Sequence, residues 1–274
     1  MYYYELSREL VNLGHNVSII SQAGDEITKR ARKNGVKVYD AQDELPDEKE
    51  FDVVCFSHYP MYDELLSKRY SNLNMLMVCH SEVIPLEVPI HHNSIKHYIG
   101  IRQAICDIIA NTGVVDEKIT LIKNPVDFSR FNDSLKRDSK KKPAALFVGS
   151  LDYIRVNPFK HLYKMSKDQN FDVIHVGRND YPDEINNKKM PGVKFYKPCW
   201  GVEKYLKDCN AVAGAFMGRT TIEGWCAGKT SLQYLVDKNG TITDVMKEDP
   251  PDDMSQFDSR LVAKKIESIL KDIA

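Results

Sequence analysis

Residues 4–21 read YELSRELVNLGHNVSIIS, and this stretch sets the reading of the fold. Apolar side chains recur at helical spacing through residues 4–13, and Gly14 stands where a helix C-terminus calls for a left-handed residue. The β-branched run NVSIIS follows at once, so a helix feeds directly into a strand. The alternation continues with a short strand at 36–39, FDVVCF at 51–56, a helix over 61–68 and MLMVC at 75–79. HYIGI, the helical IRQAICDIIANTG and KITLI complete the first half. Strands alternating with helices predict a parallel, doubly wound α/β sheet.

After Phe131 the chain becomes NDSLKRDSKKKP, charged and almost free of apolar side chains, and then restarts with the buried-strand pattern AALFVGS. The second half repeats the first: a helix over 159–167, FDVIHVG, VKFYK, a helix over 202–208, AVAGAF, a helix over 221–227 and SLQYL. The sequence therefore divides into residues 1–133, a linker at 134–142 and a second α/β domain at 143–274. A last helix over 259–273 carries Leu261, Val262, Ile266, Ile269, Leu270 and Ile273 on one broad face and is expected to pack on its own domain or across the hinge.

A formal net charge of −1 in 274 residues gives no global field toward nucleic acid or an anionic membrane. The opening MYYYELSREL lacks the apolar core of a signal peptide, and no apolar run approaches the ~20 residues of a membrane span. The six cysteines form no C-x-x-C pair. They read as reduced side chains of a cytoplasmic protein.

Ligands of open α/β sheets bind beyond the carboxyl ends of the strands, which directs attention to four segments. His80 follows MLMVC, where an imidazole either serves a ligand or is satisfied by local backbone. Ser150 follows AALFVG, with Arg155 and Lys160 near the next helix start, where cations suit a diphosphate or are simply exposed. After AVAGAF, the run MGRTTIEGWCAGK offers Gly218 for close backbone approach, Arg219, Thr220 or Thr221 as a helix cap, and Glu223, read as a first-turn carboxylate able to accept from ribose hydroxyls. Asn124, in KITLIKNPVDFSRF, is placed where the chain leaves the first sheet, at the mouth of a cleft.

In order and spacing these segments resemble family 4 of the retaining GT-B glycosyltransferases over nearly the whole chain. YYELSRELVNLGHNVSIIS is similar to that family's opening helix and strand, EKITLIKNPVDFSRF to its E-K-I-x-V-I-x-N-G-V-D-x-x-x-F segment, and LFVGSLDYIR to its F-V-G-R-L-x-x-x-K-G segment. FMGRTTIEGWCAGKTSL resembles the E-G-F-G-L-x-x-L-E-A-M-A-C-G-x-P-V stretch of the donor site. The resemblance implies two Rossmann-like domains facing a cleft and metal-independent transfer of a sugar, with no cofactor, from a nucleotide-diphosphate sugar to an acceptor hydroxyl. It implies Glu223 at the donor ribose, Gly218 and neighbouring amides at the diphosphate or sugar, Arg155 at the diphosphate, and His80 at the reacting sugar.

Three departures stand beside it. Ala215 occupies the first glutamate position of E-x7-E, Ser150 occupies the arginine position of G-R-L, and the family's opening strand and glycine loop have no counterpart ahead of the first helix. A charge-assisted hydrogen bond is worth ~1.5–3 kcal/mol, so each lost group corresponds to roughly one to two decades in affinity or rate. Arg219 or Lys160 offers a replacement cation. The absent strand leaves three readings: a start upstream, another segment or partner chain in the gap, or a reduced first domain. Two further functions stay open, a noncatalytic sugar-nucleotide-binding partner subunit and a GT-B sugar-nucleotide epimerase. The acceptor is a glycan, a lipid-linked sugar, a small molecule or a modified nucleobase.

Overall fold

The computed structural model describes residues 1–21, 26–41, 44–83, 85–131 and 142–274. Contacts divide the chain into one unit of Met1–Pro125 with Ser255–Ala274 and a second of Val126–Met254. The linker expected at 134–142 lies, apart from Lys142, outside the described residues.

In the first unit, α1 (Tyr2–Asn12) ends as the sequence indicates. Gly14 takes a φ of 95°, its amide bonds Val11 O at 2.9 Å and the His15 amide bonds Leu10 O at 3.1 Å, the double closure that a left-handed residue makes at a helix end. The chain then forms β1 (Ser18–Ser21), α2 (Glu26–Lys33) and β2 (Lys37–Asp40), with β1 and β2 paired parallel as a two-stranded sheet. A second sheet, all parallel, has the order β3 (Val53–Phe56), β4 (Asn74–Cys79), β5 (Ile95–Gly100) and β6 (Ile119–Leu121). Between β3 and β4 run α3 (Tyr59–Met61), a wide π-turn (Tyr62–Leu66) and α4 (Ser67–Arg69), and α5 (Gln103–Asn111) joins β5 to β6. Met75 through Cys79 are all buried, as a continuous apolar run must be in a strand covered on both faces.

The second unit holds one six-stranded sheet. Its order is β12 (Ile242–Glu248), β11 (Thr230–Val236), β10 (Ala211–Ala215), β7 (Ala144–Val148), β8 (Asp172–Val176) and β9 (Val193–Tyr196), parallel except for the antiparallel edge strand β12. Helices α6 (Val156–Asp168), α7 (Glu203–Leu206) and α8 (Arg219–Cys226) connect its strands. Both units are thus Rossmann-like parallel-sheet folds.

The contacts assign the final helix, α9 (Ser259–Ile273), to the first unit although the sequence grouped it with residues 143–274. Asp258 caps it through the Arg260 amide at 2.9 Å, and it lies on α1. Ser259 donates to Glu9 at 3.0 Å, and His15 meets Glu267 at 2.8 Å. Val262, Ala263 and Ile266 form its buried stripe. Leu261, expected on the apolar face, is 43% exposed, because the contact is narrower than the apolar pattern.

Candidate functional site

In the second unit, β10 delivers the chain to the start of α8. Phe216 turns it with a φ of 59° while its amide is held by Tyr234 O at 2.9 Å. Gly218 is the N-cap and no side chain caps the helix, so the expected capping by Thr220 or Thr221 does not occur; α8 starts two residues earlier than the sequence indicates. A Cβ at Gly218 would meet nothing within 4 Å, which leaves the backbone here open to close approach. The helix itself lies tight on its strand, since a Cβ at Gly224 would come 2.5 Å from Val212.

Glu223 lies past the first turn of α8, which contains no acidic residue, so it is not the helix start that holds it in place. Two guanidiniums fix it instead. Arg219 Nε donates to Glu223 Oε1 at 3.0 Å, one helical turn away, and Arg130 Nη1 donates to the same oxygen at 3.2 Å. Arg130 Nε also donates to Glu203 at 2.6 Å, and its guanidinium lies over the rings of Phe131 and Trp200. Burial would raise the Glu203 carboxyl, but the hydrogen bond from Arg130, a backbone hydrogen bond and the charges of Arg130 and Arg219 together outweigh it and hold the group below its ordinary range. Side chains of Arg130, Arg219 and Glu223 are 13%, 16% and 5% exposed. At that burial the pairs contribute little net stability but hold each charged group in one orientation.

The loop after β7 is built with equal constraint. Gly149 has a φ of 129°, its carbonyl accepts from His175 Nε2 at 3.0 Å, and its amide bonds Val176 O at 3.0 Å. Ser150 follows it, half-buried. Asp152 accepts from the amides of Ile154 and Arg155 at 3.1 and 3.0 Å and pairs with the Arg155 guanidinium. Arg155 is the N-cap of α6 and its side chain passes over Gly149. Lys160, farther along α6, pairs with Glu184 at 2.6 Å, with both side chains exposed.

In the first unit, His80 immediately follows β4 and is held from three directions. Its amide donates to Glu87 Oε2 at 2.8 Å, its carbonyl accepts from Arg102 at 3.3 Å, and its Nε2 lies 2.9 Å from Ser57 Oγ. Ser57 gives its only proton to Val78 O at 2.8 Å, so His80 Nε2–H must donate to Ser57, as must the Tyr3 hydroxyl at 2.6 Å. That leaves Nδ1 as the unprotonated nitrogen of the ring. Burial lowers His80 to about 4, so the imidazole is neutral at pH 7. His58, with a φ of 73°, bonds the other oxygen of Glu87 at 2.8 Å, which raises the His58 pKa. Asn124 lies half-buried in the loop after β6.

The structure brings Gly218, Arg219, Thr220 and Glu223 together on one strand-to-helix turn, and Ser150 with Arg155 on another. Lys160 does not join them, and His80 and Asn124 belong to the first unit. Arg130, Glu203, Glu87 and His58 were not singled out from the sequence. Arg130 sits inside NPVDFSRF, and nothing in that run distinguishes it from a surface arginine. Among the described residues no three His, Cys, Asp or Glu side chains are grouped as a metal site requires, and no helix is long and apolar enough to cross a membrane.

No protein-family model matches the sequence, and no curated protein matches it. Solved structures do. A glycosyltransferase from Rickettsia africae ESF-5 superposes with a TM-score of 0.68 at 16% identity, over 98% of this chain and 93% of that one. Anabaena Alr3699/HepE, solved in complex with UDP-glucose, gives 0.65 at 14% identity over 98% and 85%. A candidate UDP-N-acetylglucosamine 2-epimerase from Listeria monocytogenes gives 0.59 at 10% identity over 98% and 92%. At these identities the likeness is one of fold, and the fold is GT-B.

Proposed function

We propose that the protein is a glycosyltransferase that moves a sugar from a nucleotide-diphosphate sugar to an acceptor hydroxyl, and that its second unit binds the donor. The observation that carries this reading is the turn between β10 and α8, an open helix start next to Glu223 fixed between Arg130 and Arg219. A helix start with unobstructed backbone at Gly218 attracts the diphosphate, and a carboxylate held by two cations accepts from vicinal ribose hydroxyls. The cations stabilise the charge that grows on the leaving diphosphate as the glycosidic bond breaks, without a metal ion or other cofactor. Ser150 and Arg155, at the next strand end, line the same end of the sheet and serve the phosphates, with Lys160 the more distant cation. Neutral His80, with Nδ1 unprotonated, is the first unit's candidate for a hydrogen bond to the reacting sugar.

We assign the enzyme to the retaining, family 4-like group on the sequence segments quoted above, with the first unit on the acceptor side and the second, which includes Arg130, on the donor side. The cytoplasm suits its six cysteines, read as reduced thiols. The UDP-glucose complex of the Anabaena neighbour favours a uridine diphosphate donor. A second reading, a sugar-nucleotide epimerase, draws on the Listeria neighbour and on Ala215 and Ser150 at positions where transferases of the family carry charged groups. Turnover separates them. Each sugar nucleotide is incubated with and without a panel of acceptor sugars and lipids, and released nucleotide diphosphate and the sugar configuration are followed together. Acceptor-dependent release of nucleotide supports transfer. Epimerised sugar nucleotide without acceptor supports the second reading, and binding with neither product would make the protein a noncatalytic partner.

A further inference from the structure

His58, just beyond the end of β3, adopts φ 73° and ψ 127°, a conformation that few residues other than glycine populate. Such strain persists only where the surroundings impose it. Here it presents the imidazole to a buried carboxylate: His58 Nε2 lies 2.8 Å from Glu87 Oε1, while Glu87 Oε2 accepts from the His80 amide at 2.8 Å. Burial would raise Glu87, but the hydrogen bonds from His58 and the His80 amide, with the charges of the two histidines, outweigh it, so the group is ionised at pH 7. A carboxylate only accepts, so Nε2 carries the proton and the lone pair of the neutral His58 ring sits on Nδ1. Nδ1 has no hydrogen-bond partner among the described residues, and the ring is half exposed. The sequence neighbours of this pair are apolar and open. Tyr59, Leu86 and Val88 are 47%, 47% and 54% exposed, and α3, which begins at Tyr59, lies against the turn Pro85–Glu87. Leu86 and Val88 face outward where Glu87 between them is buried. Single exposed apolar side chains need no explanation, but three gathered beside one half-exposed imidazole make an apolar patch with a hydrogen-bond acceptor next to it.

We propose that His58, Tyr59, Leu86 and Val88 form the acceptor subsite, and that the acceptor is an amphiphile: a polar head whose hydroxyl donates to His58 Nδ1, joined to an aliphatic or aryl body that lies on the three apolar side chains. Each half of the site selects one half of the ligand. A hydroxyl is a donor that Nδ1 can accept from, and a hydrocarbon without one would leave that nitrogen unmet. A free sugar would leave Tyr59, Leu86 and Val88 in water, whereas an apolar body removes them from it. Glu87 behind the ring fixes its tautomer and direction and strengthens Nδ1 as an acceptor, the service a carboxylate gives to a histidine that faces a ligand. The same carboxylate holds the His80 amide, so the subsite and the histidine assigned to the reacting sugar are built into one end of one sheet. The inference rests on the transfer reading, in which the first unit takes the acceptor, and names the class of acceptor that reading leaves open.

The test titrates methyl, butyl, hexyl and octyl β-glucoside, each below micelle formation, into isotopically labelled protein without donor, followed by NMR at the His58 ring and the amides of residues 57–59 and 86–88. Kd should fall at least about tenfold from methyl to octyl glucoside, about 1.4 kcal/mol, the equivalent of roughly two buried methylenes. A protein carrying both Leu86→Ser and Val88→Ser, changes at exposed positions, should lose the chain-length dependence and keep its affinity for methyl glucoside. His58→Ala should weaken every member by a similar factor, about threefold or more, and keep the dependence. A Kd that does not change along the series, or a chain-length dependence that survives the double serine variant, would overturn the proposal. Cosedimentation with phosphatidylcholine–phosphatidylglycerol vesicles that the double variant abolishes, without binding of monomeric octyl glucoside, would overturn it in favour of a membrane surface. Dimer elution abolished by the same variant would overturn it in favour of a second copy. Titration of UDP into the parent keeps the two readings apart. UDP binding with a flat alkyl series sinks this proposal and spares the transfer reading; the expected alkyl series without UDP binding sinks the transfer reading and, with it, the acceptor role of the subsite.

Discussion

Acid should loosen the first unit through His80. Burial lowers this imidazole to about 4 from an ordinary value of 6.5, so the folded ring resists a proton that the unfolded ring accepts. The unfolded state therefore binds more protons between these values, and stability falls as pH falls. A change from 6.5 to about 4 corresponds to about 3 kcal/mol, of which about 2.5 kcal/mol is lost by about pH 4.5. Two neighbours titrate outside that window. His58 is raised, so its contribution is complete below 6.5 and is lost only as pH rises through its folded value. Glu87 is lowered, with its bonds to His58 and His80 outweighing burial, so its contribution holds above the ordinary carboxyl range and disappears below it. His80→Gln keeps a donor for Ser57 and removes the titration. Both tryptophans, Trp200 and Trp225, lie in the second unit, so fluorescence does not report on this site. Hydrogen exchange of the β4 amides does, compared between parent and variant at each pH so that intrinsic rates cancel. The parent should lose protection by about two decades relative to His80→Gln between about pH 6.5 and 4.5. Parallel pH profiles for the two proteins would refute the buried, neutral assignment.

Two glycines should behave oppositely. A Cβ at Gly177 would come 2.0 Å from Gly149 O, so Gly177→Ala should cost about 2–4 kcal/mol in chemical denaturation, whereas Gly218→Val, where a Cβ meets nothing within 4 Å, should leave stability within about 1 kcal/mol but weaken nucleotide binding. Arg130→Ala leaves Glu203 and Glu223 without a shared cation and should destabilise the second unit by about 3 kcal/mol, read by tryptophan fluorescence in urea. Native alkylation should reach exposed Cys199 well before buried Cys79, whose thiol is pushed up to about 12 chiefly by burial; mass spectrometry of tryptic peptides checks the order.

Much of the fold was legible because its central strands are continuous apolar runs and α1, α2, α5 and α8 are each closed by a left-handed glycine two residues on. Gly14 and Gly228 close α1 and α8 with the same pair of backbone bonds, and both were readable as helix ends. The edges were less so. β12, ITDVMKE, is exposed at two of every three positions instead of alternating, and α2, EITKRARK, buries only Thr28 and Ala31 under a cover of charge. Within the candidate site, Gly218, Arg219 and Glu223 were visible because one strand-to-helix turn carries all three. Arg130 was not, since its role depends on Glu203 and Glu223, 73 and 93 residues away in sequence. The same holds for Ser57, which orients His80 across 23 residues. Local pattern announces a turn that carries its own ligands; it is silent on side chains that meet only when the chain folds.

The donor claim is tested most directly by isothermal titration of uridine diphosphate and its sugar conjugates into the parent, Glu223→Gln and Glu267→Gln, the last being a control on α9 of the first unit. Binding to the parent should be saturable, at least about tenfold weaker to Glu223→Gln, consistent with a charge-assisted bond of ~1.5–3 kcal/mol, and unaltered in the control. Binding that Glu223→Gln leaves unchanged, or no heat with any nucleotide while the protein is folded, would contradict it.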